Sequence, residues 1–315
     1  MVPNTSRQGP KPVDIADGTM NDTKTLLLTG GTGFLGSNLL RRLVEENFRI
    51  YLLIRQSSSL WRINDLIDRV FLVEAEKTCF EEFFQRQQIN VIVHCATNFG
   101  RREIEPTEML EANLLLPLKL LQAGSNSGVS CFINNDTILD KRVNYYALSK
   151  SQLKEWLHVY ADRMACINVA LEHFYGPLDD QTKFVTYIIR SLLQGVASID
   201  LTKGEQRRDF IFIDDVTDAF VRIIKQSLGL RKGYFSYEIG TSNTIEIREF
   251  VTLVKKLVAN TSTTLNFGAI PYRENEVMDS TVDCSAIERL CWNPNFSLQD
   301  GLWKTIAVEG ENAKR

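Results

Sequence analysis

The stretch "TLLLTGGTGFLGSNLLRRLVEEN", residues 25 to 47, constrains the fold more than any other. An apolar run meets three glycines, Gly30, Gly33 and Gly36, in the pattern GxxGxxG. A segment with helical periodicity follows, with Leu35, Leu39, Leu40 and Leu43 on one face. Glycines at this spacing form a tight turn, admit a pyrophosphate close to the backbone and let the helix pack closely on the strand. The helix start then offers unpaired N–H groups to an anion. Glycines serving only as turn formers have no reason to keep this spacing. The stretch reads as a dinucleotide-binding strand, loop and helix.

The pattern continues along the chain. "RIYLLI", "RVFLVEAE", "NVIVHCAT", "VSCFINND" and "CINVALEHFYGP" read as further strands. "CFEEFFQRQ", "PTEMLEANLLLPLKLLQAGSNSG" and "NYYALSKSQLKEWLHVYADR" read as helices, the second a single long one. Strands that alternate with helices and are apolar throughout predict an α/β fold, a doubly wound parallel (Rossmann) sheet over residues 24–176. After Gly176-Pro177 the texture is mixed. Helices are expected in "KFVTYIIRSLLQG", "DDVTDAFVRIIKQSL" and "IREFVTLVKKLV", and strands in "FIFIDDV", "YFSYEIG" and "TLNFGAI". This predicts a smaller mixed α/β domain over 177–315, with segments of 207–245 returning to the first domain. Its place is over the carboxyl ends of the main strands, where open α/β sheets bind ligands. Residues 1–23 are polar, lack an apolar signal-peptide core and are expected to be a disordered leader.

Composition narrows the function. A net charge of −3 gives no basic excess for nucleic acid or a membrane surface. The apolar runs are strand-sized, far below a membrane span. Six scattered cysteines without a CxxC pair suit small core residues in a reducing cytoplasm. Three histidines and no HExxH argue against a catalytic metal.

The end of the second strand selects the cofactor. NAD sites carry Asp or Glu there for the ribose 2′-OH, whereas Arg holds a 2′-phosphate. Here the segment is "YLLIRQSSS", with Arg55 in place and Ser57, Ser58 and Ser59 as further donors. This favours NADP(H). A solvated Arg at a strand end is the plainer alternative.

Tyr146 and Lys150 stand at i and i+4, on one face of the expected helix. A phenol is a poor proton shuttle at neutral pH unless an ammonium stabilises its phenolate. The same Lys can bind the nicotinamide ribose. Such a pair is usually served by a hydroxyl on the strand just upstream. That position holds Asn135, with Thr137 two residues on and so on the same strand face. Thr137 is expected to supply the hydroxyl, with Asn135 an auxiliary amide donor to the substrate.

In order, "TGGTGFLG", "VIVHCAT", Asn113 in "EANLLLPLKLL", "YYALSK" and "RRDFIFIDDV" resemble the extended short-chain dehydrogenase/reductases, the NAD-dependent epimerase/dehydratase family. The resemblance runs from Lys24 to about Trp303. Within the class, "ALEHFYGPLDDQTKF", "GEQRRDFIFIDD" and "FGAIPYRENEVM" resemble the CDP-abequose and CDP-paratose synthases, NADPH-dependent nucleotide-sugar 4-ketoreductases. The resemblance implies that Gly30, Gly33, Phe34, Leu35 and Gly36 line the pyrophosphate. It places Ala96 and Thr97 beside the cofactor ribose and His173 near the nicotinamide. It also implies that Arg208 and Arg273 hold the sugar nucleotide's diphosphate, and that Lys183 and Phe184 border the sugar or base. The implied substrate is a nucleotide sugar, and class members are often homodimers.

The resulting expectation is NADPH-dependent reduction of the C4 keto group of a nucleotide-activated deoxy or dideoxy hexose, CDP-linked as the resemblance to those synthases implies. Asp136 is followed by Thr137 rather than Glu, which argues against dehydration. A 4-epimerase recycling NAD is the enzymatic alternative. A catalytically silent dinucleotide sensor is the alternative of another class, with Asn135 as its support.

Overall fold

The computed structural model describes residues 23–100 and 105–312; nearly all of the expected leader, residues 1–22, lies outside the described residues. In chain order the first half contains β1 (Thr25–Thr29), α1 (Phe34–Glu45), β2 (Arg49–Ile54), β3 (Phe71–Glu74), α2 (Phe80–Gln87) and β4 (Val91–His94). Then come α3 (Pro106–Leu110), α4 (Leu116–Asn126), β5 (Cys131–Thr137), α5 (Tyr145–Tyr160), β6 (Ala165–Leu171) and β7 (His173–Tyr175). The second half contains α6 (Phe184–Gln194), β8 (Ser198–Leu201), β9 (Arg207–Phe212), α7 (Ile213–Ser227) and β10 (Gly233–Ile239). It ends with β11 (Thr244–Glu246), α8 (Ile247–Leu257), β12 (Thr264–Phe267), α9 (Ser285–Glu288) and α10 (Leu298–Asn312).

Seven parallel strands form the main sheet in the order β10-β6-β5-β4-β1-β2-β3. The chain builds outward in one direction from β1 and then in the other from β4. The crevice between the carboxyl ends of β1 and β4 is therefore a topological switch point, the place where such sheets bind ligands. Side chains alternate across the strands, so both faces need cover. Leu26, Leu28, Leu52, Val93 and Ile133 pack with Leu39 and Leu43 of α1 and Val216 and Phe220 of α7. Leu27, Tyr51, Ile92 and Phe132 pack with Phe84, Leu120, Leu153 and Leu157 on the opposite face. Each such Leu stabilises the fold by about 1.5–3 kcal/mol.

The second half contributes β10 to this sheet, with Tyr237 opposite Val169. Strands β11, β9 and β7 form a separate sheet, and β12 pairs with β8. Among the described residues, no helix is long and apolar enough to cross a membrane.

The structure differs from expectation at several places, three of them near the site or the core. The long helix is interrupted by a π turn, Glu111–Leu115. Pro117 lacks the N–H that would bond the carbonyl of Asn113. The wider turn absorbs this and leaves Asn113 fully buried. Strand β9 ends at Phe212, so Asp214 and Asp215 belong to the first turn of α7, where the helix dipole favours carboxylates. Asp215 also accepts the N–H groups of Asn295 (2.8 Å) and Phe296 (3.1 Å). Finally, α10 has no counterpart among the expected helices, and Gly301 weakens its helical pattern. A Cβ at Gly301 would lie 2.3 Å from the Tyr175 hydroxyl, so glycine is required by packing there.

Candidate active site

The glycine loop is shaped by close approaches. Gly30 has φ +70°, and a Cβ there would sit 2.4 Å from the Ala96 nitrogen at the exit of β4. A Cβ on Gly36 would meet the Gly30 carbonyl oxygen at 2.2 Å. Gly33 caps α1 with no side-chain hydrogen bond, and its own N–H donates to Gly30 O at 2.9 Å. Gly31 has a packing role that sequence reasoning missed, since a Cβ there would collide with Leu52. Phe34 and Leu35 open α1 and are buried.

The two strand ends are tied together behind the loop. Thr29 Oγ1 pairs with His94 Nδ1 at 2.9 Å and accepts the Ala96 N–H at 3.1 Å. Beyond Ala96, Asn113 Oδ1 accepts from the Asn98 N–H (2.7 Å) and the Thr97 hydroxyl (3.2 Å). The Asn113 amide donates to Asn98 O (2.8 Å) and Ser149 Oγ (3.0 Å). Ser149 in turn donates to the Tyr146 carbonyl at 2.7 Å. The π turn thus links the loop after β4 to the helix carrying Tyr146 and Lys150.

Asn144 caps α5 by accepting the Ala147 N–H at 2.8 Å, which starts the helix just before the tyrosine. The Tyr146 phenol lies near the side chains of Thr137 and Thr97. Its ring lies 5.0 Å from that of Phe99. Burial pushes its proton affinity up, as does the charge of Asp136, and the two threonines partly oppose this. Lys150 is fully buried, and its Nζ has no hydrogen-bond partner. Burial lowers its affinity for a proton, while the nearby Asp136 carboxylate supports the ammonium. Asp136 is itself anchored, accepting the Thr137 N–H (2.8 Å) and the Asn168 amide (2.7 Å).

Strand β5 stays in register through Thr137, which pairs with Leu171. Asn135 is buried, with its Oδ1 unpartnered. Of the two, the Thr137 side chain is the one that influences the Tyr146 phenol.

A glycine cradle, an uncapped helix start and an orphaned buried ammonium fit a nicotinamide dinucleotide laid across the switch point. The residues that could hold it are Gly30, Gly33, Phe34, Leu35, Gly36, Ala96, Thr97, Tyr146 and Lys150. The model of the NAD dependent epimerase/dehydratase family matches residues 26–240. The chain belongs to that family.

It is 32% identical to a CDP-abequose synthase of Salmonella muenchen over 295 residues, 91% of this chain and 98% of that protein. Among solved structures it resembles the UDP-glucose 4-epimerase of Thermotoga maritima with UDP-glucose, with a TM-score of 0.77 and 22% identity. That match covers 92% of this chain and 99% of the epimerase. The UDP-glucuronic acid 4-epimerase of Bacillus cereus, in complex with UDP-glucuronic acid and NAD, has a TM-score of 0.78 and 20% identity. It covers 91% of this chain, and this chain 99% of it. These two share the family fold.

The other expected residues stand on several elements of both halves. Arg55 follows β2 and is exposed, as is Ser57. The Arg55 N–H donates to Ser58 Oγ at 3.0 Å, and the Gln56 N–H to Glu76 at 3.2 Å. Lys183 precedes α6, its Nζ 3.2 Å from Asp179 Oδ2 and 4.5 Å from the ring centroid of Phe174. It also faces Phe34 and Phe99, at 5.5 and 5.3 Å. Phe184 turns toward Phe250, with ring centroids 6.0 Å apart.

His173 is paired through Nδ1 with Glu172 Oε2 at 3.0 Å, and the Ser280 hydroxyl donates to the same carboxylate. Glu172 went unread in the sequence, where an acidic residue gives no sign of burial beside a histidine. Arg208 forms an ion pair with Glu276, and Arg273 lies within its electrostatic reach. Among the described residues, no group of three His, Cys, Asp or Glu side chains could hold a metal ion.

Proposed function

We propose that this protein is an NADPH-dependent oxidoreductase that reduces the C4 keto group of a nucleotide-activated deoxyhexose, CDP-linked as in the synthases it resembles. One arrangement carries the reading. The phenol of Tyr146 lies near Thr137 and Thr97, one helical turn before the buried, unpartnered Lys150, and Ala96, next to Thr97, packs against Gly30 of the glycine loop. Bound there, the cofactor supplies hydride to C4. Thr137 polarises the carbonyl, and Tyr146 gives its proton to the resulting alkoxide. Lys150 stabilises the phenolate left behind and binds the nicotinamide ribose. Segments after Pro177 wall the sugar nucleotide, with Arg208 and Arg273 on the diphosphate, a match for bidentate guanidinium. Lys183, Phe184, Asn135 and His173 border the sugar and nicotinamide.

The test is direct. NADPH and a CDP-4-keto-dideoxyhexose are mixed with the protein, and loss of reduced-nicotinamide absorbance is followed together with the product sugar. No oxidation of NADPH would sink the reductase reading. Arg55 supports NADP(H), and Arg55→Ala is expected to erode preference for NADPH over NADH by about tenfold to a hundredfold, the worth of one charge-assisted contact. Equal kcat/KM with the two cofactors in the unmodified protein would contradict this.

Glu76, bonded to the Gln56 N–H, favours the second reading, a 4-epimerase retaining NAD, because a carboxylate at this edge repels a 2′-phosphate. Bound NAD in the purified protein and interconversion of C4 epimers would decide for it.

The anchored Asp136 yields a pH prediction. Its charge raises the proton affinity of both Tyr146 and Lys150. Asp136→Asn therefore lets both groups lose their protons at lower pH. The alkaline limb of kcat/KM for reduction is expected to move to lower pH, and an unmoved limb would remove Asp136 from the proton balance.

A further inference from the structure

The surroundings of Arg208 are unusual for an anion-binding group. Its side chain is 11% exposed, and that of its partner Glu276 is 16% exposed. One guanidinium nitrogen donates to Glu276 Oε1 and another to the Arg207 carbonyl at 2.8 Å. Glu172 and Asp279 also stabilise its charge, and Arg273 opposes it. The guanidinium is thus paired with one carboxylate, in the field of two more and of one cation, before any ligand arrives.

Glu276 and Arg273 belong to one turn, in which the Glu276 N–H donates to the Arg273 carbonyl at 3.1 Å. The turn is fixed on both sides. The Tyr272 hydroxyl donates to Glu205 at 3.0 Å and accepts the Glu205 N–H at 3.2 Å. The Arg207 N–H donates to Met278 O at 2.7 Å. Between these anchors the chain has no helix or strand. Arg208, by contrast, stands on β9, bonded to β7 and β11.

A carboxylate in contact with the guanidinium competes with any incoming phosphate and repels it. A ligand offering one phosphate loses to Glu276. A diphosphate can engage Arg208 and Arg273 together and so offset the lost ion pair. We propose that Glu276 is a specificity-determining counter-charge at the diphosphate subsite: it holds Arg208 in the resting protein and yields it to a diphosphate that also reaches Arg273 on the same turn. This inference rests on the proposed role of Arg208 as a diphosphate ligand.

The experiment titrates CDP, UDP and CMP into the full chain saturated with cofactor. Glu276→Gln keeps the shape and removes the charge. It is expected to tighten CDP and UDP about tenfold, the difference between a charge-assisted and a neutral bond. CMP should gain more, so selectivity for diphosphate over monophosphate falls. Glu276→Ser gives the same direction should the Gln variant fold poorly, and Glu276→Asp, which keeps the charge, retains selectivity. A purely structural ion pair predicts the reverse, a loosened turn and weaker CDP binding. Unchanged or weaker CDP and CMP binding in Glu276→Gln, with Arg208→Ala weakening both, overturns the counter-charge while leaving the diphosphate site standing. An Arg208→Ala protein that binds CDP normally overturns the diphosphate site, and this inference with it.

Discussion

Replacing Tyr146 with Phe is expected to slow ketone reduction by about 10²- to 10⁴-fold, the range for loss of a positioned general acid. Cofactor affinity should stay close to that of the unmodified protein. The substitution deletes one oxygen and keeps the ring, which lies against Phe99. That oxygen lies near Thr137 and Thr97. Burial and Asp136 both favour the protonated phenol, so the group remains a donor through neutral pH. Of the proposed cofactor contacts only the Tyr146 hydroxyl is lost, while the glycine cradle, Ala96, Thr97 and Lys150 are untouched. Stopped-flow reduction and a cofactor titration on the same preparation check the two halves. Turnover near the unmodified rate would show that the proton comes from elsewhere.

The parts legible in the sequence were those written by local rules. Gly30 and Gly36 are read from spacing because the close approaches they permit are made within the loop and to the adjacent strand exit. Tyr146 and Lys150 are read from a single helical repeat. The parallel sheet follows from apolar strands that need cover on both faces. The illegible parts depend on contacts between distant segments. Glu276 meets Arg208 across 68 residues, and no periodicity marks either partner. Glu172 receives Ser280 across 108 residues. The π turn keeps the apolar pattern of a helix, so only Pro117 hinted at it. Gly301 weakens a helix locally, and the demand for it comes from the Tyr175 hydroxyl packed against it, far away in sequence.

The choice between Asn135 and Thr137 gives the other large expected effect. Strand β5 continues past Asn135, opposite Val169, to Thr137, opposite Leu171. Asn134 and Asp136 alternate to the other face and share Asn168, at 2.8 and 2.7 Å. That shared partner fixes the strand's rotation, so Asn135 and Thr137 cannot swap faces with their neighbours. Thr137 lies at the strand's carboxyl end, near Tyr146, and its hydroxyl accepts the Leu139 N–H at 3.3 Å. On the proposed reading this hydroxyl, beside the proton donor, is the one that polarises the C4 carbonyl. Valine has the shape of threonine without the donor. Loss of one preorganised donor to a developing oxyanion costs about 2.7–4 kcal/mol, so Thr137→Val should slow turnover by about two to three orders of magnitude. Asn135→Ala should cost less, because its buried Oδ1 has no partner and only its amide NH₂ can donate. Both variants are compared at saturating cofactor, with cofactor binding measured separately. The reverse ranking, in folded variants that bind cofactor normally, would return the polarising role to Asn135 and leave Thr137 as the residue that closes the turn.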